Sequence, residues 1–114
     1  FISRKLGFIE SLSIMQLENI GFSKNRLHHL YVDLQLQFSS IAEAIDQAQM
    51  RRVAIRLFNF PRCTVPGNYR HLAPASISDW KRKFPNECAL CSQQAECSGF
   101  FEWHPVSAMK VKAI

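Results

Sequence analysis

Three of the chain's four cysteines fall within ten residues, Cys88-Ala89-Leu90-Cys91-Ser92-Gln93-Gln94-Ala95-Glu96-Cys97, and no other feature restricts the fold as much. Thiols three and six positions apart can converge on one soft metal centre. Cys63 follows the apolar run at residues 53–60 and its Pro61 turn, so it can close such a site from a distance. Thiolate is the ligand preferred by zinc and by iron–sulfur clusters. An even cysteine count is also compatible with two disulfides in a secreted protein. The crowding of three thiols argues against that use, as does a core-forming composition of 47% hydrophobic residues with nine Phe. The region is read as a metal or cluster site built from Cys63, Cys88, Cys91 and Cys97, and the rest of the chain as its scaffold.

The 114 residues suffice for one domain, or a piece of one, with a modest core. No run approaches the roughly eighteen apolar residues of a membrane span. No charged segment followed by an apolar one opens the chain, so no secretory signal is visible and the expected compartment is the cytoplasm. The first residue is Phe1 and the pattern opens without a cap, which reads as the C-terminal part of something longer. The net charge is +5 and the pI about 9.3 with neutral thiols. Four thiolates on a dication would add roughly −2, leaving an excess near about +3. Arg51-Arg52 and Lys81-Arg82-Lys83 are short and read as solvated faces, which argues against a nucleic-acid partner.

Along the chain, Ser11-Leu12-Ser13-Ile14-Met15-Gln16-Leu17-Glu18 alternates with Leu12 and Ile14 on one face and predicts a strand. Glu18 falls at its end, where open α/β sheets place ligand-contacting groups, although a solvated Glu before a turn is the simpler expectation. Residues 21–30 read as a loop or short helix with surface His28 and His29. Asp33 is a plausible N-cap, with Ser40 and Glu43 an alternative capping box. Phe38, Ile41, Ile45 and Ala48 then recur at helical spacing, and Arg51-Arg52 suits the helix C-terminus. Residues 53–60 read as a buried parallel strand. Strand, helix and strand make a βαβ-type unit, and two strands are too few for a stable sheet, so neighbouring strands are expected elsewhere. From Pro61 the chain is rich in proline and loop. Ser76-Ile77-Ser78-Asp79 has capping-box spacing and predicts a short helix leading through Trp80 to Phe84, with Trp80 as a core anchor. The implied division is residues 1–60, a cysteine segment at 61–105, and a frayed tail at 106–114.

In order, Leu17-Glu18-Asn19-Ile20-Gly21-Phe22, Leu30-Tyr31-Val32-Asp33, Leu57-Phe58-Asn59-Phe60-Pro61-Arg62-Cys63, Ser76-Ile77-Ser78-Asp79-Trp80-Lys81, Glu87-Cys88-Ala89-Leu90-Cys91 and Cys97-Ser98-Gly99-Phe100-Phe101 form a set. This set resembles the C-terminal part of radical SAM maturases of the His-Xaa-Ser peptide-modification system, from about residue 7 to residue 101. The resemblance implies an α/β fold: the C-terminal part of a partial (β/α)6 radical SAM barrel, followed by a loop-rich cysteine segment. It implies that Cys63, Cys88, Cys91 and Cys97 ligate an auxiliary [4Fe–4S] cluster that transfers electrons or holds the peptide substrate. It also implies S-adenosylmethionine as a cofactor of the N-terminal half, a ribosomal peptide substrate of the His-Xaa-Ser type, and a partner maturase. The CxxxCxxC motif of the catalytic cluster does not occur in this sequence, so this chain alone is expected to be inactive and carries no assigned catalytic residue. Leu34 stands where the family pattern would place a proline starting the helix.

Cys88 and Cys91 also fit one knuckle of a structural zinc site, and spacing leaves zinc and iron–sulfur open. The resemblance favours iron–sulfur; the alternative is a stand-alone zinc-binding interaction module with four cysteine ligands, and a metal-stapled basic nucleic-acid binder is the third class. His71 or His104 can replace a cysteine in principle. Gly99 is expected to allow a tight turn that brings N–H groups toward the sulfurs. Phe100, Phe101 and Trp103 are expected either to shield the site or simply to pack.

Overall fold

The computed structural model describes residues 1–104 and 111–114. After a short helix, α1 (Ile2–Lys5), comes strand β1 (Ser11–Met15), and after a short α2 (Leu27–Leu30) comes the long helix α3 (Leu34–Met50), then strand β2 (Ala54–Phe58). Helix α3 forms where the sequence has Leu, Ala, Gln and Glu without a β-branched run, and it starts at Asp33. The Asp33 carboxylate accepts from the Gln35 and Leu36 amides at 2.9 and 3.3 Å, satisfying two of the free N–H groups of the first turn. Leu34 occupies the first helical position, so no proline is needed there. Leu34, Phe38, Ile45 and Ala48 are buried at three-, four- and seven-residue steps.

The helix ends at Arg51. Arg52 takes a left-handed backbone, φ 61°, and the Val53 amide turns back onto the Ala48 carbonyl at 3.0 Å. Glycine is the residue suited to that conformation. Arg52→Gly is therefore expected to stabilise the chain by about 1 kcal/mol, seen as a melting-temperature rise of roughly 4–8 °C. An unchanged melting temperature would count against strain at this position.

Strands β1 and β2 pair in parallel, with Ser11 opposite Ala54 and Met15 opposite Phe58. Leu12 and Ile14 join Val53, Ile55 and Leu57 on the face covered by α3, together with Phe60, Val65, Leu72 and Ala73 from the following segment. Tyr69, in the 3-10 turn Gly67–Leu72, donates its hydroxyl to both Asp46 carboxylate oxygens at 2.9 Å and packs on Phe38, which fixes that turn across α3. Burying each large side chain of this core contributes about 1.5–3 kcal/mol before chain entropy is counted. The other face carries exposed Ser11, Ser13, Met15, Ala54 and Arg56. This is a βαβ unit of two strands with no closed barrel among the described residues.

Beyond Phe60 the chain has no α-helix among the described residues, only 3-10 turns and a second small sheet. Strands β3 (Arg82–Lys83) and β4 (Phe100–Phe101) pair antiparallel, so they close a loop that holds Cys88, Cys91 and Cys97. The short helix expected from Ser76 to Phe84 is reduced to one turn, Asp79–Lys81, before the chain extends into β3. Its capping box fails because the Ser76 hydroxyl is engaged elsewhere, accepting the Asn59 amide at 2.7 Å. Residues 106–110 of the expected frayed tail lie outside the described residues. Ile114 is fastened, its carbonyl oxygen accepting from both the amide and the hydroxyl of Ser92 at 2.8 Å. No helix among the described residues is long and apolar enough to cross a membrane.

Candidate metal centre

Each cysteine sits at a tight turn. Cys63 lies in the turn Arg62–Thr64, directly after β2 and Pro61; Cys88 lies in the turn Asn86–Leu90 and Cys91 caps it; Cys97 caps the turn Gln94–Glu96. Such turns bring side chains round within a few residues and suit a segment whose order comes from ligation more than from burial. All four thiols are free. Cys88 and Cys97 are buried; Cys63 and Cys91 are half-buried.

The two stretches of cysteine sequence meet. Burial, and then the charges of Cys63, Cys97, Cys91 and Glu87, push the Cys88 thiol up to about 11. Burial likewise raises Cys63; the main-chain N–H of Lys112 opposes this, and the charges of Cys97 and Cys91 add to it. Two main-chain N–H groups, of Arg62 and Gly99, point at the Cys97 sulfur, each at 3.3 Å. Among the described residues no three His, Cys, Asp or Glu side chains are grouped so as to hold a metal ion as they stand. The donor set nevertheless fits a thiolate-bound metal in kind: four free thiols, with N–H groups on one sulfur of the sort that stabilise a ligating thiolate.

The two candidate histidines differ in setting. His71 is exposed, whereas His104 is 4% exposed and packs against Tyr31, Phe100 and Trp103, its Nε2 3.5 Å from the Tyr31 hydroxyl. Burial, with Lys83 nearby, holds His104 below the usual histidine range.

Gly99 has φ 66°. A Cβ there would stand 2.9 Å from Arg82 Cγ and Phe84 Cε1 and 3.0 Å from the Lys83 carbonyl oxygen. The glycine thus lets the chain cross β3 while its N–H reaches Cys97. Ser98, fully buried beside it, donates to the Pro74 carbonyl at 2.9 Å and accepts from the Ser76 amide at 3.2 Å. Through Ser76 this network reaches Asn59, whose left-handed backbone (φ 66°) ends β2.

Arg62 is a supporting residue that sequence reasoning did not find. Its Nε donates to the Ala73 carbonyl at 3.1 Å, and Nη1 donates to Gln93 Oε1 at 2.7 Å and to Glu96 at 2.6 Å. Nothing in the sequence singles it out beyond its place next to Cys63. Because the Glu96 side chain is 73% exposed, that ion pair adds little, and the carbonyl and amide bonds carry the effect. Arg62→Lys keeps the charge and loses the fork, and is expected to cost about 1–3 kcal/mol in urea unfolding, close to Arg62→Ala. A lysine variant as stable as the parent would overturn this role.

Two expectations are corrected here. Trp80 is no core anchor: it is 79% exposed, with the Lys81 Nζ over its ring at 4.8 Å, in the turn before the backbone extends into β3. Glu18 is not freely solvated: it is partly buried, and Lys81 Nζ holds its carboxylate at 2.8 Å. That ion pair joins the end of β1 to the cysteine segment and borders an open cleft of about 570 Å³ with Ile20, Trp80, Phe101 and Trp103. Phe101 stacks on Trp103 at 5.6 Å between centroids. No known family, no curated protein and no solved structure matches the chain.

Proposed function

We propose that this chain is the C-terminal, auxiliary-cluster part of a radical SAM peptide maturase, binding a [4Fe–4S] cluster through Cys63, Cys88, Cys91 and Cys97. The observation that carries the reading is the Cys63 turn set against Cys97, where the main-chain N–H groups of Arg62 and Gly99 both reach the Cys97 sulfur and all four thiols are free. The resemblance supplies the cluster type. When bound, such a cluster stores and passes single electrons, or offers an iron to a substrate group. The chain's own residues hold the ligands: Arg62 ties the Cys63 turn to Gln93 and Glu96, Gly99 donates to Cys97, and Ser98 joins both to β2. In this reading the S-adenosylmethionine-cleaving half, with its CxxxCxxC motif, lies outside these residues. The barrel strands β1 and β2 are part of a partial (β/α)6 barrel, the substrate is a ribosomal peptide of the His-Xaa-Ser type, and a partner maturase acts with it in the cytoplasm.

The test is anaerobic purification and reconstitution, with iron, sulfide and zinc measured per chain beside the absorption spectrum. About four irons and four sulfides, lost in Cys88→Ala and Cys91→Ala, are the expected result. One zinc without sulfide would overturn the reading in favour of a zinc-binding interaction module with four cysteine ligands, which the Cys88/Cys91 knuckle also suits.

A further inference from the structure

Residues 111–114 lie against the cysteine segment and touch both of its stretches. The Ile114 carbonyl oxygen accepts from the Ser92 amide and from the Ser92 hydroxyl, each at 2.8 Å, directly after Cys91. Two residues earlier, the main-chain N–H of Lys112 bonds the Cys63 thiol. Cys63 and Cys91 are the two half-buried cysteines, whereas Cys88 and Cys97 are buried. The contacts of residues 112 and 114 therefore fall at, or beside, the two thiols that remain partly open.

The hold is slight. None of the four residues lies in a helix or strand, Lys112 and Ala113 are exposed, and among the described residues the four make no other hydrogen bond or ion pair. A stretch held by so few bonds opens locally, without unfolding what it lies on. Its closed form carries a chemical bias, because an N–H on sulfur favours the thiolate, and the thiolate is what a metal binds. We infer that residues 111–114 are a strap over the metal centre, which opens to let metal reach Cys63 and Cys91 and closes over the loaded site. By linkage, closing the strap holds the metal, and the metal holds the strap closed. The inference rests on the reading of the four cysteines as a metal centre, whether iron–sulfur or zinc.

The experiment loads the full chain with cobalt(II) without oxygen and follows the thiolate-to-cobalt absorption, first during uptake and then during removal by excess EDTA. Lys112→Pro removes the N–H on Cys63 at a position outside any helix or strand, and Ser92→Ala removes one of the two bonds to Ile114. Both variants are expected to release cobalt about tenfold faster and to take it up about threefold faster. Lys112→Ala keeps the N–H and should change neither rate. Faster release with unchanged uptake would overturn the strap, since it would show a supported ligand and no gate. Unchanged rates in both variants would overturn it as well. A parent chain that takes up no cobalt would overturn the metal reading and the strap with it, a result distinct from unmoved rates in a chain that loads. Hydrogen exchange of the metal-free chain gives a second readout: the Ser92 amide should exchange about tenfold faster in Lys112→Pro, while the Ala54 amide, bonded to the Glu10 carbonyl, keeps its rate. Equal acceleration at both amides would overturn the strap, because residues 111–114 would then open only with the whole fold.

Discussion

Loading the reduced chain with its metal is expected to raise its melting temperature by roughly 15–30 °C. A ligand a thousandfold above its Kd stabilises by about 4 kcal/mol, and a domain of this size moves about 4–8 °C per kcal/mol. The expected effect is large because the cysteine segment has turns and two-residue strands in place of a core of its own. The pH dependence separates the two states. In the metal-free chain, burial and neighbouring charges raise Cys88 to about 11, above the ordinary thiol near about 8.5. The stability contributed by this raised group is fully present below the ordinary thiol range. It is lost as pH climbs from about 8.5 toward 11, because the unfolded thiol ionises first. Metal binding needs the thiolate, so it releases protons and weakens as pH falls. Melting curves of both states from mildly acidic to alkaline pH should therefore diverge, with acid pickup by a weakly buffered dye on loading. Coincident melting curves at every pH would remove the metal centre from the account.

Gly99→Ala is expected to destabilise the chain by about 2–4 kcal/mol, lowering the melting temperature by roughly 10–20 °C. The left-handed backbone costs an alanine about 1–2 kcal/mol, and overpacking against rigid neighbours adds a similar amount. One of those neighbours is main chain, the Lys83 carbonyl oxygen, which cannot turn aside as a side chain can. Relief by shifting β4 away from β3 would also carry the Gly99 N–H from the Cys97 sulfur, so weaker metal retention should accompany the lower melting temperature. Gly7→Ala is the control, because a Cβ there meets nothing within 4 Å. Equal effects of the two substitutions would show that the crossing at Gly99 is not tight.

The α/β half was legible in the sequence because periodicity reports burial directly. Leu12 and Ile14 alternate against Ser11 and Ser13, Phe38, Ile45 and Ala48 follow the helical repeat, and Asp33 caps α3 as its chemistry predicts. The second half was not, because its order comes from contacts distant in sequence. Ser76 has the spacing of a cap, but Asn59 and Ser98 take its hydroxyl across 17 and 22 residues. Trp80 looked like an anchor by size, yet it lies in the single turn Asp79–Lys81 and is left exposed. The cysteine cluster was visible as a cluster. The parts that hold it in place, Arg62 and Ser98, were not, since one arginine or serine looks like another until its partners are known. The fit of Gly99 beside Cys97 was readable in outline, and the obstructing Lys83 carbonyl was not.

The ion pair between Glu18 and Lys81 spans 63 residues, and the contact of Tyr31 with His104 spans 73. Contacts that close such long loops are slow to form and come after the local helix. A ribosome delivering this chain at about 5–20 residues per second releases β1 several seconds before the segment that fastens its far end. During that interval Glu18 is without Lys81 and Tyr31 without His104. The time order of synthesis thus leaves the newborn α/β unit without the two long-range contacts that tie it to the last third of the chain.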